Sequence, residues 1–254
     1  MRIIISPAKK MNIDTDSLAP IGLPKLLEKT NIVKSWLQSL NHEELKKLWG
    51  CNDKIAKLNF ERLQNMNLEE NLTPAILSYE GIQYQYMAPA VFEEGMLSYI
   101  QENLRILSGF YGVLKPMDGV TTYRLEMQAR TEIGEVKGLY DFWGRKLYEE
   151  LIDNSRIIIN LASKEYSKCI EKYLQPGDRY ITCVFGELSG GKVVQKGTYA
   201  KMARGEMVRF MAEKNIAEPE EIKNFDRLGY VYAEEFSDDT EYVFVKKFDK
   251  NIEV

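Results

Sequence analysis

The chain has 254 residues, of which 44% are apolar and 28% charged, the balance of an ordinary globular protein with enough length for one large core. Its 34 lysines and arginines stand against 38 aspartates and glutamates, so the formal charge of −4 excludes a protein coated in positive charge and requires any anion-binding surface to be local. A single histidine, His42, excludes multi-histidine metal sites, and three cysteines with no C-x-x-C spacing (Cys51, Cys169, Cys183) exclude a zinc or redox motif of that type.

Ile3, Ile4 and Ile5 form a β-branched run halted by Pro7, which predicts a short buried strand. The run is too short for a signal peptide, and no stretch approaches the roughly 18 apolar residues that span a bilayer. The expectation is a cytoplasmic chain with free thiols and no membrane contact.

After Pro24, apolar residues from Leu26 to Leu40 recur at helical spacing. Asn41 with Glu44 has the form of a capping box, and Asn52 is placed to cap a third helix. Thr73-Pro74 opens a further short helix, and residues 89–103 read as helical. Leu107 to Leu114 sets Gly109 and Gly112 in apolar surroundings. Two readings compete there: a structural turn, or a phosphate-gripping hairpin between two helices whose glycines are three apart where two is usual. Tyr140, Trp143, Leu147 and Leu151 mark one amphipathic helix. Arg156 to Asn160 reads as a second β-branched strand, with a helix beginning at Ser163. Hairpins are predicted around Gly190-Gly191 and around Ser237-Asp238-Asp239, the second running from Tyr230–Phe236 to Glu241–Phe248, with a helix over 198–215 between them. No repeat, low-complexity tract or linker interrupts this order. It predicts one domain over residues 1–254, of the α/β (mixed α+β) class, with a mixed sheet surrounded by helices.

Two strands thus end in polar turns, at Ser6-Pro7-Ala8-Lys9-Lys10 and at Asn160-Leu161-Ala162-Ser163-Lys164. Ligands of open α/β sheets gather at such strand ends, and a helix opening at Ser163 would favour an anion. The competing reading is an ordinary serine cap among surface lysines. Lys201, Gly205 and Arg209 share one helical stripe, with Arg204 beside it. This is either a flat cationic spot for a sugar–phosphate backbone or a solvated face with Gly205 there for packing. Arg105, Lys115, Arg124, Arg130 and Lys137 interleave with Tyr111, Tyr123 and Tyr140, a composition that suits exposed nucleic-acid bases or a half-buried core. Glu126 and Glu165 are the candidate carboxylates, as general bases or as partners that hold the arginines.

Taken in order, Ile5-Ser6-Pro7-Ala8-Lys9, Arg105 to Pro116, Tyr123-Arg124-Leu125-Glu126-Met127, Leu139 to Gly144, Asn160 to Ser163 with Glu165-Tyr166, and Lys201 with Ala203-Arg204-Gly205 and Arg209-Phe210 resemble the YaaA family of bacterial peroxide-stress proteins. Lys10-Met11 and Lys164 depart from the pattern and make the region more positive. The resemblance implies an unusual fold with a helix-hairpin-helix-like element and a basic cleft, and a cytosolic protein that limits unincorporated iron and oxidative DNA damage. It implies that DNA, double-stranded with unpaired or distorted regions, is the partner. By that match Lys9, Arg105, Arg124, Lys201, Arg204 and Arg209 are the candidate cleft residues; with Lys10, Ser108, Gly109, Tyr111, Gly112, Lys115, Asn160 and Ser163 from the reading of the turns they make up the expected DNA- or anion-binding set. No cofactor, metal or protein partner is expected. The alternative is an enzyme acting on a nucleotide, nucleic acid or other phosphate-bearing substrate, with Ser6, Glu126, Glu165 and Tyr166 as reactive or positioning groups. Direct iron handling is a third reading, made weak by the lack of histidines.

Overall fold

Two isoleucine-rich strands lie side by side at the centre of an eight-stranded sheet in the computed structural model, which describes residues 1–247. In chain order the strands are β1 (Arg2–Ile5), β2 (Lys10–Met11), β3 (Thr73–Pro74), β4 (Tyr79–Glu80), β5 (Leu104–Ser108), β6 (Gly112–Leu114), β7 (Gly119–Val120), β8 (Glu132–Ile133), β9 (Val136–Lys137), β10 (Ile157–Asn160), β11 (Arg179–Ser189), β12 (Lys192–Val194), β13 (Tyr230–Tyr232) and β14 (Glu241–Lys246). The large sheet runs β13-β14-β11-β10-β1-β5-β6, with β12 folded onto β11. Its five middle strands are parallel: Ile3 lies opposite Ile159 on one side and Leu104 on the other, and Cys183 lies opposite Tyr242. The outer pairs, β5–β6 and β13–β14, are antiparallel, so the sheet is mixed. Ile3, Ile4 and Ile5 have no exposed surface, as expected of a parallel strand covered on both faces, where a continuous β-branched run replaces alternation.

After β1 the chain adds β5 and β6 on one side, then returns to lay β10, β11 and β14 on the other. The strand order therefore reverses between β1 and β10. Their carboxyl ends, at Ser6 and at residues 161–163, open at that reversal, the place where open α/β sheets hold ligands.

The helices follow their caps. The first, α1 (Leu27–Ser39), turns its apolar face with Val33 and Leu37 into the core. In α2 (His42–Trp49) the Asn41 side chain accepts the Glu44 N–H while Glu44 accepts the Asn41 N–H, the reciprocal box that the spacing predicts. Asn52 caps α3 (Asp53–Gln64) through the Ile55 N–H. Next come α4 (Ala75–Ser78), α5 (Ile82–Met87), α6 (Glu94–Asn103), α7 (Leu139–Trp143), α8 (Lys146–Leu151), α9 (Lys164–Glu171) and α10 (Gly197–Lys214). One apolar cluster joins the sheet to all these layers. Among the described residues no helix is long and apolar enough to cross a membrane.

Four expectations are corrected. The segment around Gly109 and Gly112 joins two antiparallel strands, with Ser108 opposite Gly112, and not two helices. A buried apolar run of this length has no periodicity that separates strand from helix, and Gly112 adopts φ 77°, which suits a tight strand turn. The single helix expected over Tyr140–Leu151 is two, because Gly144 takes φ 55°, ψ −146° and breaks the run while the apolar face continues across it. Thr73-Pro74 first pairs with Gly119–Val120 before α4 begins. In the last hairpin, Glu234–Phe236 is a 3-10 turn outside the ladder, and Phe248 lies outside the described residues.

Candidate anion-binding site

The reversal point brings together two serines far apart in sequence. Ser6 Oγ accepts the Ser163 N–H at 2.8 Å and donates to Ser163 Oγ at 3.1 Å. The Tyr84 hydroxyl donates to the Ser6 carbonyl at 3.0 Å, which ties α5 to the end of β1. Ser163 occupies the N-cap position of α9, but its side chain makes no cap hydrogen bond. The ordinary serine-cap reading therefore gives way to a hydroxyl pair across two strand ends. Asn160 shapes the second turn from within: its Oδ1 accepts the Ala162 N–H at 2.9 Å and its Nδ2 donates to Thr182 at 3.2 Å.

A cavity of about 360 Å³ opens over this pair. Its walls are residues 6–10, 80–84 and 123–126, with Ser163, Glu165 and Tyr166 from the start of α9 and Lys201 and Arg204 from α10. Five cations and three carboxylates line it. Lys9 lies 2.8 Å from Glu126 and Arg124 lies 3.7 Å from the same carboxylate, while Lys10 pairs with Glu80 at 2.7 Å. Among the described residues no carboxylate lies within ion-pair reach of Lys201 or Arg204. Burial pulls the Arg204 guanidinium below its ordinary value. Glu165 is pushed up by burial, with the Glu126 charge adding to the shift and the Gln128 N–H, donating at 3.3 Å, opposing it. Burial also raises the Tyr166 phenol.

Three buried nitrogens of this lining, Gln83 Nε2, Arg124 Nε and Arg204 Nε, and one buried oxygen, Glu126 Oε1, have no hydrogen-bond partner. A buried donor left unpaired costs about 1–3 kcal/mol, so such atoms are rare in a settled core. Their residues gather around one cavity.

Ser6, Lys9, Lys10, Arg124, Glu126, Ser163, Glu165, Tyr166, Lys201 and Arg204 thus share one cavity. The remaining sequence candidates lie elsewhere. Arg105 is 5% exposed and donates through Nη1 to the carbonyls of Leu104, Glu102 and Gln101, beside Lys115 and Asp118 in a separate pocket; burial brings it down to about 10. Arg209 faces Glu213 at 2.7 Å, next to Arg227. Ser108 lies beneath the cavity floor, where its hydroxyl bonds Tyr123 at 2.6 Å and accepts the Tyr111 N–H at 2.9 Å. Tyr111 is fully buried and Tyr123 is 7% exposed, so neither offers a ring face to a base. Gly109 and Gly112 are packing positions, against the backbone of residues 125–127 and the ring of Trp143. Gly205 seats α10 on α5, so it serves packing and not a flat cationic spot.

Sequence reasoning missed Glu80, Gln83 and Tyr84. They lie in a segment with no motif, brought to the site by the pairing of β4 with β2, Lys10 opposite Glu80, and by the packing of α5 on α10 and on the end of β1. Among the described residues no three of histidine, cysteine, aspartate and glutamate gather in a metal-binding group.

Fold and site together define an α/β protein with a charged, partly unsatisfied cavity at the strand-order reversal of a mixed sheet. The chain belongs to the family described as peroxide stress protein YaaA, which matches residues 1–236. It is 64% identical over 247 residues to a UPF0246 protein of Agathobacter rectalis, covering 97% of this chain and 99% of the relative. UPF0246 proteins of Lachnoclostridium phytofermentans and Desulfitobacterium hafniense are each 58% identical over 246 residues, 97% of this chain and 96% and 98% of theirs.

Proposed function

We propose that this chain protects the cell under peroxide stress by binding locally unpaired DNA, with phosphate held in the cavity at the end of β1 and β10. The observation that carries this reading is the pair Lys201 and Arg204, neighbours on α10 that face the cavity with no carboxylate partner among the described residues. A cavity of about 360 Å³ is at the small-ligand end of binding-site sizes, so it takes a nucleotide-sized group and not a duplex. That favours DNA with an accessible strand. Without an exposed aromatic face among Tyr111 and Tyr123, affinity rests on phosphate contacts and falls with salt. Limiting unincorporated iron, and the damage it drives, is placed downstream of this binding.

The test is binding of a bulged duplex followed by fluorescence anisotropy across a salt series. Lys201→Glu with Arg204→Glu lowers affinity by on the order of tenfold or more and flattens the salt dependence, whereas Arg209→Glu, outside the cavity, leaves both in place. Unchanged affinity in the double variant sinks the reading.

A second reading, an enzyme on a phosphate-bearing substrate, is favoured by one observation. Ser6, Glu126, Glu165 and Tyr166 line the same cavity as the cations, and burial raises the Glu165 carboxyl above its ordinary value. Turnover of a nucleotide by the wild-type chain, lost in Glu165→Gln, supports it; no turnover of mononucleotides or oligonucleotides counts against it.

A further inference from the structure

The geometry points to a specific ligand for this cavity: the phosphomonoester group of a nucleotide, as the 5′ end of a DNA strand or as a free nucleoside monophosphate. The inference deepens the proposed DNA reading and rests on the same cavity.

Three features select a monoester over the diester of an unbroken strand. The first is charge. The lining holds two more cations than carboxylates, and the two without partners, Lys201 and Arg204, sit together on α10. A phosphomonoester carries a charge near −2 at neutral pH, which matches that surplus, while a diester carries one charge. The second is the balance of the unsatisfied groups. Gln83 Nε2, Arg124 Nε and Arg204 Nε are donors, against one acceptor, Glu126 Oε1, which already has Lys9 at 2.8 Å, and Gln83 is only 7% exposed. They require acceptors, and a monoester presents three terminal oxygens where a diester presents two. The third is shape. Ser6 and Ser163 line the cavity and are bonded to each other, so no strand can run on between the ends of β1 and β10. An internal phosphodiester needs room for substituents on both sides; a terminal phosphate needs it on one.

The experiment uses the full chain and one 3′-fluorescein single strand made with either a 5′-phosphate or a 5′-hydroxyl, with deoxyadenosine monophosphate and deoxyadenosine as competitors. The 5′-phosphorylated strand binds tighter by a factor on the order of ten, and the monophosphate displaces it while the nucleoside does not. Lys201→Ala, at an exposed position where folding is not at stake, removes the preference for the phosphorylated end; Arg209→Ala retains it. Equal binding of both strands with an inert monophosphate overturns the inference and leaves the DNA reading standing. Binding of the monophosphate with neither strand bound supports the free nucleotide as the source and defeats the DNA reading instead. No binding of any of them overturns both, and a preference that persists in Lys201→Ala overturns the seat assigned here.

Discussion

Gly205 rests directly against the backbone of Gln83, so closely that a Cβ at residue 205 would collide with the Gln83 carbonyl oxygen and lie 2.9 Å from the Met87 nitrogen. This contact sets α5 on α10 and thereby fixes Gln83 at the cavity wall. Gly205→Ala gains up to about 1 kcal/mol of helix propensity but forces two backbones apart, a strain of about 1–3 kcal/mol. The expected outcome is a net loss of stability in urea melts together with weakened phosphate binding. A variant as stable as the parent, with unchanged binding, would show that α5 adapts freely and that Gly205 has no positioning role.

Ser6 and Ser163 make the second joint, between residues 157 positions apart. Ser6→Ala removes the acceptor of the half-buried Ser163 N–H and one hydroxyl of the cavity floor. Stability falls by about 1–2 kcal/mol, the cost of leaving a backbone donor unpaired. Ser6→Thr keeps the oxygen and restores most of that loss. Urea midpoints of the two variants decide the matter: equal losses in both would place the effect in packing and not in the hydrogen bond.

The three thiols differ in their access to oxidant. Burial pushes the Cys169 and Cys183 thiols up to about 12, where almost no thiolate exists at neutral pH. Cys51 is half-exposed. Under native conditions, mass spectrometry after brief iodoacetamide or hydrogen peroxide treatment finds modification at Cys51 before the other two. Rapid oxidation of Cys169 or Cys183 would show that their segments open in solution.

The strands and helices were legible where the chain announces them locally. Ile3–Ile5, the Asn41–Glu44 box and the glycine pair at 190–191 each carry their own geometry, and each forms the element expected. Gly109–Gly112 and Gly144 were misread because a buried apolar run has no period of its own; the outcome depends on Trp143 filling the space over Gly112 and on one glycine taking an otherwise strained conformation. The site divided in the same way. Ser6 and Ser163 follow from the ends of two strands, but which cations join them depends on register. Arg105 and Ile106 adjoin on β5, directly across from β1, yet Arg105 folds back onto the carbonyls of α6 and leaves the carboxyl end of the sheet. Gln83 and Glu80 were invisible because no local signal couples residues 79–84 to residues 10–11.

Asp118 offers a test of the pocket that holds Arg105. Burial pushes its carboxyl up to about 6, although the Lys115 N–H, donating at 2.8 Å, and the positive charges of Lys115 and Arg105 draw it down. The folded chain therefore holds this proton more tightly than the unfolded chain. As pH rises from about 4 to about 6 the unfolded state releases its proton first, so this group's contribution to stability falls through that window and stays lost above it. The loss is on the order of 2–3 kcal/mol. Glu150 and Asp153, drawn below their ordinary values despite their burial, the first by hydrogen bonds from Lys25 and Lys146 and the second by the Ser155 hydroxyl and then the amino terminus and Arg2, act in the opposite sense, so the whole-protein profile does not isolate Asp118. Asp118→Asn does: the amide oxygen still accepts from Lys115, but the titration is gone. Compared by urea denaturation at each pH, the variant gains on the parent between pH 4 and pH 6 and keeps that margin at pH 7. A difference that is constant across the range would mean that Asp118 is already solvated, and that the Arg105 pocket is open to water from the Lys115 side.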